Sequence, residues 1–308
     1  MARHLKNSDD ITYEKVLELV TSLSESGYLG TDITKPEESH EIDLYIVGLG
    51  IVNVDQITKE TEYILKKSKK VYYVENGIGV DEYLQSMCDN AVNLVSEYEV
   101  NQDRMNAYRA MAAKVIFAAL QESPITLALY GHPTVFAYPP FLIREICSHL
   151  EIKVKVLPGV SAFDTICSEL MIDPGINGMQ MYEATELLMR KRVLQNDVPA
   201  LIWQIGAIET ALYSHLLSKP ERFEGLKKYL LKFYPENHMV HSIFCSNYFM
   251  MPSTIHSFKI SEIGDYAHLL HSGHTLYVPP SEYKEVVDEY LVEKILAPEH
   301  LKSITKEK

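Results

Sequence analysis

TLALYGHPTVFAYPP, residues 126–140, is the stretch that decides the fold. Its first residues are apolar up to Tyr130 without polar alternation, which is typical of a strand buried on both faces. The turn Gly131-His132-Pro133 interrupts this run, and Phe141–Leu150 resumes it with the spacing of an amphipathic helix. A strand, a tight turn and a helix in this order place a ligand at the carboxyl end of a parallel strand. An ordinary strand-to-helix turn has the same local chemistry. Only the rest of the sequence can therefore distinguish a ligand-binding turn from an ordinary one.

Composition and charge are those of a soluble globular protein with one large domain or two modest ones. The 308 residues are 46% hydrophobic and 23% charged, and the formal net charge is −13. Such an acidic chain argues against a nucleic-acid backbone or an anionic membrane as the main partner. The N-terminus has no signal-peptide pattern, no apolar run is long enough to cross a bilayer, and the four cysteines are scattered without a C-x-x-C pair. These features predict a cytoplasmic protein with free thiols and no metal site.

Strand and helix patterns alternate along the chain and predict an α/β fold whose parallel sheet is covered by helices on both faces. The chain divides into an N-terminal helical arm and linker (1–41), a first lobe (42–150), a second lobe (151–280), and a C-terminal helix with a polar tail (281–308). The arm contains an amphipathic helix at Ile11–Ser24, which packs either on the body or on a partner subunit.

Shorter segments also have predicted structures. We expect a short strand at Asn93–Tyr98, a helix at Arg104–Leu120, a helix that begins at Ile208, and a closing amphipathic helix at Tyr283–Ile295. The tail from Pro298 is polar and is expected to be disordered.

A second glycine turn, Gly48-Leu49-Gly50, follows the first strand of the first lobe. Glycine-rich turns in this position often hold a cofactor, because the backbone can approach it closely. Only two glycines are present here, and the third glycine of the dinucleotide fingerprint is missing. The turn alone is therefore a weak signal.

Four stretches together resemble a known family. They are Val47–Thr58 (VGLGIVNVDQIT), Tyr130–Phe136 (YGHPTVF), Leu157–Pro174 (LPGVSAFDTICSELMIDP) and Trp203-Gln204-Ile205. In order and spacing they resemble the tetrapyrrole methylase fold of the class III S-adenosylmethionine-dependent methyltransferases. The resemblance implies two lobes with S-adenosylmethionine in the cleft between them, and S-adenosylhomocysteine as the product. The cofactor-binding residues that it implies are Gly48, Gly50, Tyr130, Gly131, His132, Pro133, Val135, Phe136, Ser161, Ala162, Trp203 and Gln204.

A narrower branch of this family fits better. Three stretches carry this resemblance: YGHPTVF at Tyr130–Phe136, PGVSA at Pro158–Ala162 and MQMYEATELLMRKR at Met179–Arg192. They resemble the borosin peptide backbone α-N-methyltransferases. This resemblance implies a homodimer that methylates amide nitrogens of a ribosomally made precursor peptide. Tetrapyrrole methylases commonly carry G-D-P where this chain has Gly131-His132-Pro133, which counts against a porphyrinoid substrate. Thr134 departs from the branch, which usually has glycine there.

The last residues, LKSITKEK, do not resemble the apolar core peptide that many borosins carry as a C-terminal tail. If the resemblance holds, the substrate is a separate chain, as in the split borosins. Two alternatives stay open. One keeps the fold and methylates a tetrapyrrole or another small molecule, and the other is a non-catalytic module that binds the cofactor or a peptide without turnover.

Methylation of a backbone amide needs particular groups around the nitrogen. The nitrogen lone pair is delocalised into the carbonyl, so a base has to remove the proton and a cation or donor has to stabilise the oxygen. Arg104 and Tyr108 are four residues apart and share one face of a predicted helix, and Tyr98 precedes that helix. This order, a tyrosine, then an arginine, then a tyrosine one helical turn later, resembles the borosin pattern. It implies that Tyr98 is the base, with a pKa lowered by Arg104, that Arg104 steadies the imidate oxygen, and that Tyr108 positions the amide.

Other polar residues near these motifs have simpler interpretations. We expect His132 to shape its loop through a ring hydrogen bond rather than to act as a general base. Glu183 and Glu186, with Arg190 and Arg192, favour ion pairs on a helix surface over a place in a peptide groove.

Overall fold

Two five-stranded sheets, one in each lobe, form the framework of the protein. The computed structural model describes residues 11–26, 41–75 and 77–306. The first sheet has the strand order β3-β2-β4-β1-β5, and all of its strands run parallel. Its strands are β1 (Leu44–Gly48), β2 (Lys70–Val74), β3 (Ala91–Asn93), β4 (Ile125–Leu129) and β5 (Val154–Leu157).

Helices cover both faces of this sheet, as expected for parallel strands that are apolar along their length. β4 is buried throughout, in agreement with the unbroken apolar run at residues 126–130. Helices α4 and α5 pack on one face, and α2 and α3 pack on the other. The helices of this lobe are α1 (Tyr13–Glu25), α2 (Lys59–Lys67), α3 (Val80–Met87), α4 (Arg104–Gln121) and α5 (Pro139–His149).

The N-terminal helix α1 packs on the body of the first lobe. Val16 and Val20 are completely buried in the core that contains α4 and α5. At the C-terminal end of α1, the Nε–H of Arg109 on α4 donates a hydrogen bond to the hydroxyl of Ser24 (2.7 Å). The sequence left open whether this helix packs on the body or on a partner subunit, and the contacts show the body. The predicted linker lies mostly outside the described residues.

The second sheet is mixed, with the order β6-β7-β10-β8-β9. β6 and β7 run parallel, whereas the remaining neighbours are antiparallel. Only the first sheet therefore has the predicted parallel arrangement. The strands are β6 (Gln180–Glu183), β7 (Ala200–Trp203), β8 (Met239–Phe244), β9 (Thr254–Lys259) and β10 (Thr275–Val278), and the helices are α6 (Ala162–Leu170), α7 (Pro174–Asn177), α8 (Ala184–Met189) and α9 (Glu224–Leu230).

The boundary between the lobes lies later than the predicted position at Leu150. β5 pairs in parallel with β1, with Val154 opposite Leu44, so it belongs to the first sheet. The second lobe starts beyond Leu157, and α6 packs through Ile166 against residues of β7 and β8. An apolar run identifies a strand but not the strand that pairs with it, and for this reason the sequence placed β5 in the wrong lobe.

Two local predictions are also wrong, and one strand was not predicted. The strand expected at Asn93–Tyr98 ends at Asn93, and Val95–Glu97 forms a 3₁₀ turn. No helix begins at Ile208, because Glu209 adopts a left-handed φ of +62° that interrupts a helix. The pattern analysis did not find β9, which lies at the sheet edge and has little burial.

The C-terminal segment contains two short helices, α10 (Glu289–Ile295) and α11 (Pro298–Ile304). The predicted helix from Tyr283 begins only at Glu289, where the carboxylate of Asp288 accepts a hydrogen bond from the Leu291 N–H (2.8 Å). The disorder expected from Pro298 is wrong, because proline suits the first turn of α11. Neither helix contains a buried residue.

Candidate functional site

Three glycine turns meet at the carboxyl ends of β1, β4 and β5. A Cβ on Gly48 would lie 2.4 Å from the Gly131 carbonyl oxygen and 2.8 Å from the Cα of Gly159. Gly131 donates a backbone hydrogen bond to Gly50 (2.8 Å), and both residues have left-handed φ angles, +70° and +82°. Only glycine allows this close contact, so the three turns pack together as one compact unit at the edge of the first sheet.

A cavity of about 500 Å³ opens beside these turns, between the two lobes. Residues from the ends of β2 and β4 line one side, and residues from β7, β8 and β10 line the other. The volume is within the range of about 300–1,000 Å³ that is usual for small-molecule sites. The predicted cofactor-binding residues that line it are Tyr130, Gly131, His132, Val135, Phe136, Ser161, Ala162, Trp203 and Gln204.

Gly48, Gly50 and Pro133, which were also predicted to bind the cofactor, do not line the cavity. Gly48 fills the narrow space between two other glycine turns, and Gly50 pairs with Gly131. Pro133 is buried within its loop. The sequence motif therefore mixes residues that face the cavity with residues that shape the turns behind it.

Side-chain hydrogen bonds fix two of the loops that line the cavity. Nδ1 of His132 accepts a hydrogen bond from the backbone N–H of Thr134 (3.2 Å), which is the ring hydrogen bond expected from the sequence. The Ser161 hydroxyl and backbone N–H both donate to one carboxylate oxygen of Asp164, at 2.6 and 2.7 Å, and complete a capping box at the start of α6. Both loops are thus held by bonds within the protein.

An aromatic stack joins the lobes at the cavity wall. The rings of Phe136 and Trp203 lie 4.6 Å apart at an angle of 28°. Trp203 is only 5% exposed, and its Nε1–H finds no acceptor within the described ranges 11–26, 41–75 and 77–306. A buried donor without an acceptor is costly, so a ligand that brings an acceptor to this wall would be favoured.

Glu75 is a buried residue that lines the cavity at the end of β2, and its place there was not predicted from the sequence. One of its carboxylate oxygens accepts a hydrogen bond from the Gly77 N–H (2.9 Å), and the Asn93 amide donates to its backbone carbonyl (2.8 Å). An acidic residue directly after a parallel strand is a signal that could have identified it.

The cavity residues from the later part of the second lobe were also missed. Asn247 accepts a hydrogen bond from the Tyr130 hydroxyl (3.0 Å) across the lobes. Burial raises the pKa of the Tyr130 phenol, and the neighbouring Cys245 and Glu75 add to this effect. No turn motif marks these positions, since non-local strand pairing brings them to the cavity. The missed second-lobe residues are Tyr213, Phe244, Cys245, Asn247, Ser272, Gly273 and Thr275.

The three predicted catalytic residues come together at the N-terminal end of α4. The rings of Tyr98 and Tyr108 meet edge to face, 6.0 Å apart. Tyr98 lines the interlobe cavity, whereas Arg104 and Tyr108 line an adjoining groove. Asp103 caps α4 by accepting a hydrogen bond from the Met105 N–H (3.0 Å), which fixes where the helix begins.

The second lobe holds the guanidinium of Arg104. Its Nε–H donates to the carbonyl of Ala211 (3.2 Å), and its Nη2 donates to the carbonyl of Thr210 (2.9 Å). The expectation that Arg104 lowers the pKa of Tyr98 is wrong in its net direction. Burial raises the pKa of the Tyr98 phenol, with smaller contributions from Tyr108 and Tyr213, and the opposing effect of Arg104 is weaker than these.

The adjoining groove has a volume of about 920 Å³ and is formed by both lobes. It shares Phe136, Ala137 and Gln204 with the cavity, so the two spaces lie side by side. Its apolar lining residues are Met105, Tyr108, Phe136, Tyr138, Phe141, Leu188 and Met189, and its acidic ones are Asp103, Glu183, Glu186 and Glu209. Glu186 pairs with Arg190, as expected from the sequence, yet it also lines the groove.

Other classes of site find no support in the described part of the chain. No three His, Cys, Asp or Glu side chains there are arranged to hold a metal ion. None of the described helices has both the length and the apolar character needed to cross a bilayer. The four cysteines are free thiols, three of them buried.

The architecture is similar to that of solved methyltransferases. A cobalt precorrin-4 methyltransferase matches with a TM-score of 0.55 at 11% identity, over 77% of this chain and 94% of that one. The uroporphyrin-III C-methyltransferase of Thermus thermophilus, solved in complex with S-adenosyl homocysteine, matches with a TM-score of 0.51 at 14% identity, over 77% of this chain and 96% of that one. At these identities the likeness concerns the fold.

Relatives of known description are methyltransferases joined to peptide precursors. A Gymnopus fusipes methyltransferase and precursor of ribosomally synthesized cyclic gymnopeptides is 30% identical over 79% of this chain. A Gymnopilus junonius methyltransferase and type I borosin cyclic peptide precursor is 29% identical over 82% of this chain. The chain spans 58% and 60% of the lengths of these two proteins.

A family model matches most of both lobes. It covers residues 43–243 and describes the tetrapyrrole (corrin/porphyrin) methylases. The matched range contains the three glycine turns and the candidate catalytic residues at the start of α4. The two sheets and the interlobe cavity agree with the same fold. The chain therefore belongs to the tetrapyrrole (corrin/porphyrin) methylase family.

Proposed function

We propose that this protein is an S-adenosylmethionine-dependent methyltransferase that N-methylates backbone amides of a separate ribosomal precursor peptide. The observation that carries the proposal is the position of Tyr98, Arg104 and Tyr108 where the interlobe cavity joins a large groove. The relatives that are named as methyltransferases and cyclic peptide precursors support the same class of substrate.

The cavity suits S-adenosylmethionine in size and chemistry. Phe136 and Trp203 offer an aromatic wall for adenine, and the buried Glu75 carboxylate offers an acceptor for hydroxyl or ammonium donors. The Nε1–H of Trp203 offers a donor for an acceptor atom of the cofactor. When bound, the cofactor supplies an electrophilic methyl group. Gly48, Gly50 and Pro133 support the turns around it.

Tyr98 is the proposed base for the amide proton. A tyrosine whose pKa is raised is rarely ionised at neutral pH, but its phenolate is a stronger base once it forms. The backbone amide N–H is only a weak acid, and its nitrogen is a poor nucleophile while the lone pair is shared with the carbonyl. A strong base in a site shielded from water is therefore better suited than a weak base to remove the amide proton.

Arg104 is the proposed stabiliser of the amide oxygen. A guanidinium carries five N–H donors, and two of them are used in the bonds to Thr210 and Ala211. The remaining donors can face the groove, where Arg104 is the only cationic side chain among the described lining residues. Negative charge that develops on the oxygen would be stabilised there by a charge-assisted hydrogen bond.

The groove favours a peptide over an anionic tetrapyrrole. Its apolar and aromatic wall suits the side chains of an extended peptide, and its four acidic residues would repel the carboxylates of a tetrapyrrole. No residue of the described C-terminal segment 281–306 lines the groove. A small-molecule substrate stays the second candidate, because the fold is shared with precorrin and porphyrin methyltransferases.

The proposed assembly is a cytoplasmic homodimer. Large apolar side chains are exposed along the C-terminal segment, and a second copy of the chain would bury them. These residues are Tyr283, Val286, Val287, Tyr290, Leu291, Val292, Ile295, Leu296, Leu301 and Ile304. The free thiols are consistent with a reducing compartment.

Intact mass spectrometry after co-expression with the short open reading frames that flank the gene tests this function. Mass steps of about 14 Da on a peptide, with fragmentation that places each methyl group on a backbone nitrogen, are the expected result. The Tyr98→Phe protein is the matched control, because it keeps the ring and removes the base.

Three other outcomes are informative. A mass increase on the enzyme chain itself would replace the separate substrate with methylation in cis. An unmodified peptide, together with tight binding of S-adenosylhomocysteine, would favour a small-molecule substrate. Unmodified peptide and no cofactor binding would favour the non-catalytic module.

A further inference from the structure

A segment of the second lobe crosses the candidate catalytic residues. The N–H of Tyr213 donates to the Gln102 carbonyl (2.9 Å), and the N–H of Asn101 donates to the Tyr213 carbonyl (2.9 Å). We call the paired segments 101–104 and 210–213 the interlobe latch. Together with the Arg104 bonds described above, these contacts tie the start of α4 to the second lobe over four successive residues.

The side chain of Tyr213 covers Tyr98. Their rings are stacked, with centroids 4.8 Å apart and an interplanar angle of 27°. On another side, Tyr98 meets the edge of Tyr108, so rings from both lobes enclose it. Tyr213 lines both the interlobe cavity and a smaller cavity of about 230 Å³ beside the start of α4. His215 supports the Tyr213 ring from its edge at 4.8 Å.

We propose that Tyr213 is a positioning residue whose ring holds Tyr98 over the cofactor cavity and keeps water away from it. The second lobe has to be seated on the first through the latch before Tyr98 can act. This inference rests on the proposed function for the role of Tyr98 as the base. The family motif includes Tyr98 of the first lobe only. The proposed role of Tyr213 adds a residue of the second lobe to this site.

Removal of the Tyr213 ring has a predictable effect on Tyr98. Burial is the main cause of the raised pKa of Tyr98, and the stacked ring provides part of that burial. Without the ring, water reaches the phenol and its pKa falls toward the ordinary value of about 10. The rate of methyl transfer, which depends on the phenolate, should then level off at a lower pH. The ionisable groups that face Tyr98 or line the same cavities are Glu75, Glu97, Glu99, Asp103, Arg104, Tyr108, Tyr130, His132, Tyr213 and Cys245.

Two substitutions separate the ring from the hydroxyl. Tyr213→Phe keeps the stack, so its single-turnover rate should stay within about threefold of the wild-type rate. Tyr213→Leu removes the stack and should slow methyl transfer by about tenfold or more, since small misplacements of reacting groups are costly. Tyr63→Leu, on the exposed side of α2, is the control and should leave the rate unchanged. Peptide KM should stay within about twofold in all three, because Tyr213 does not line the groove.

An NMR titration tests the inference without any methyl transfer. Protein labelled with ¹³C at tyrosine Cζ reports ionisation, and the Tyr98→Phe spectrum assigns the Tyr98 signal. The Tyr98 pKa should fall in Tyr213→Leu and stay near the wild-type value in Tyr213→Phe. If the leucine variant fails to fold, Tyr213→Met fills the space with a flexible apolar chain and replaces it.

Specific results would overturn the inference. An unchanged Tyr98 titration in Tyr213→Leu would show that the ring does not control its environment. Equal losses of rate in the phenylalanine and leucine variants would place the effect in the hydroxyl and not in the stack. A wild-type protein that methylates no peptide would reject the proposed function, yet the NMR titration would still decide whether Tyr213 shields Tyr98.

Discussion

Replacing Gly48 with alanine should weaken both the fold and the cofactor cavity. The new Cβ would lie 2.4 Å from the Gly131 carbonyl oxygen, 2.8 Å from the Gly159 Cα and 2.9 Å from the Gly159 nitrogen. All three are backbone atoms, so no side-chain rotation can relieve the contact. At least one of the two facing turns has to move.

The cost can be estimated from overpacking in protein interiors, which typically destabilises by about 1–3 kcal/mol. We expect a loss in the upper part of this range, because the contacts involve two backbone turns at once. Gly131 lines the cavity, so its displacement should also weaken S-adenosylhomocysteine binding by about tenfold, or about 1.4 kcal/mol.

Urea unfolding and isothermal titration calorimetry measure these two effects on the same protein samples. Gly264→Ala is the matched control, since its new Cβ would approach no atom closer than the Pro220 Cβ at 3.4 Å, an ordinary contact. A Gly48→Ala protein with the unfolding midpoint and the cofactor affinity of the wild type would refute the idea that these turns need glycine to pack.

Three further predictions concern single side chains. Tyr98→Phe should slow single-turnover methyl transfer by at least about a hundredfold, with S-adenosylhomocysteine affinity nearly intact in calorimetry; a near-normal rate would remove Tyr98 from the role of base. Ser161→Ala should lower the free energy of unfolding by about 1 kcal/mol in urea, because α6 loses its capping box with Asp164. Burial lowers the pKa of His274 to about 4, so the unfolded chain binds this proton more readily. Stability should therefore fall as the pH drops from about 6.5 to about 4, and His274→Gln should make urea midpoints less sensitive to pH over that interval.

The sequence predicted the parts of the fold that local chemistry controls. The strand before Gly131 is an apolar run and the helix after it is amphipathic, and the structure contains both, together with the predicted helix from Arg104. Most predicted cofactor residues lie in loops that directly follow a strand, where neighbouring parallel strands end together. For these positions, sequence order and spatial position coincide.

Contacts between distant segments could not be predicted in the same way. The run from Ile208 has apolar spacing that suits a helix, but backbone pairing with residues 101–104 of the other lobe takes its place. Asn247 and Ser272 reach the cavity only through the pairing of β8 and β10, which no short motif encodes. The direction of the Tyr98 pKa shift was missed for a similar reason, since the ring that stacks on Tyr98 belongs to Tyr213, which is distant in the sequence.

The strand order of the second sheet also has a consequence for synthesis of the protein. β10, the last strand in the sequence, lies in the middle of the sheet and separates β7 from β8. Until residues 275–278 have left the ribosome, β7 has an open edge and the β8–β9 hairpin has no partner. A recombinant fragment that stops at residue 243, where the family match ends, would lack this central strand. The nascent second lobe therefore stays exposed until residues 275–278 have emerged, and during that time chaperones can bind it.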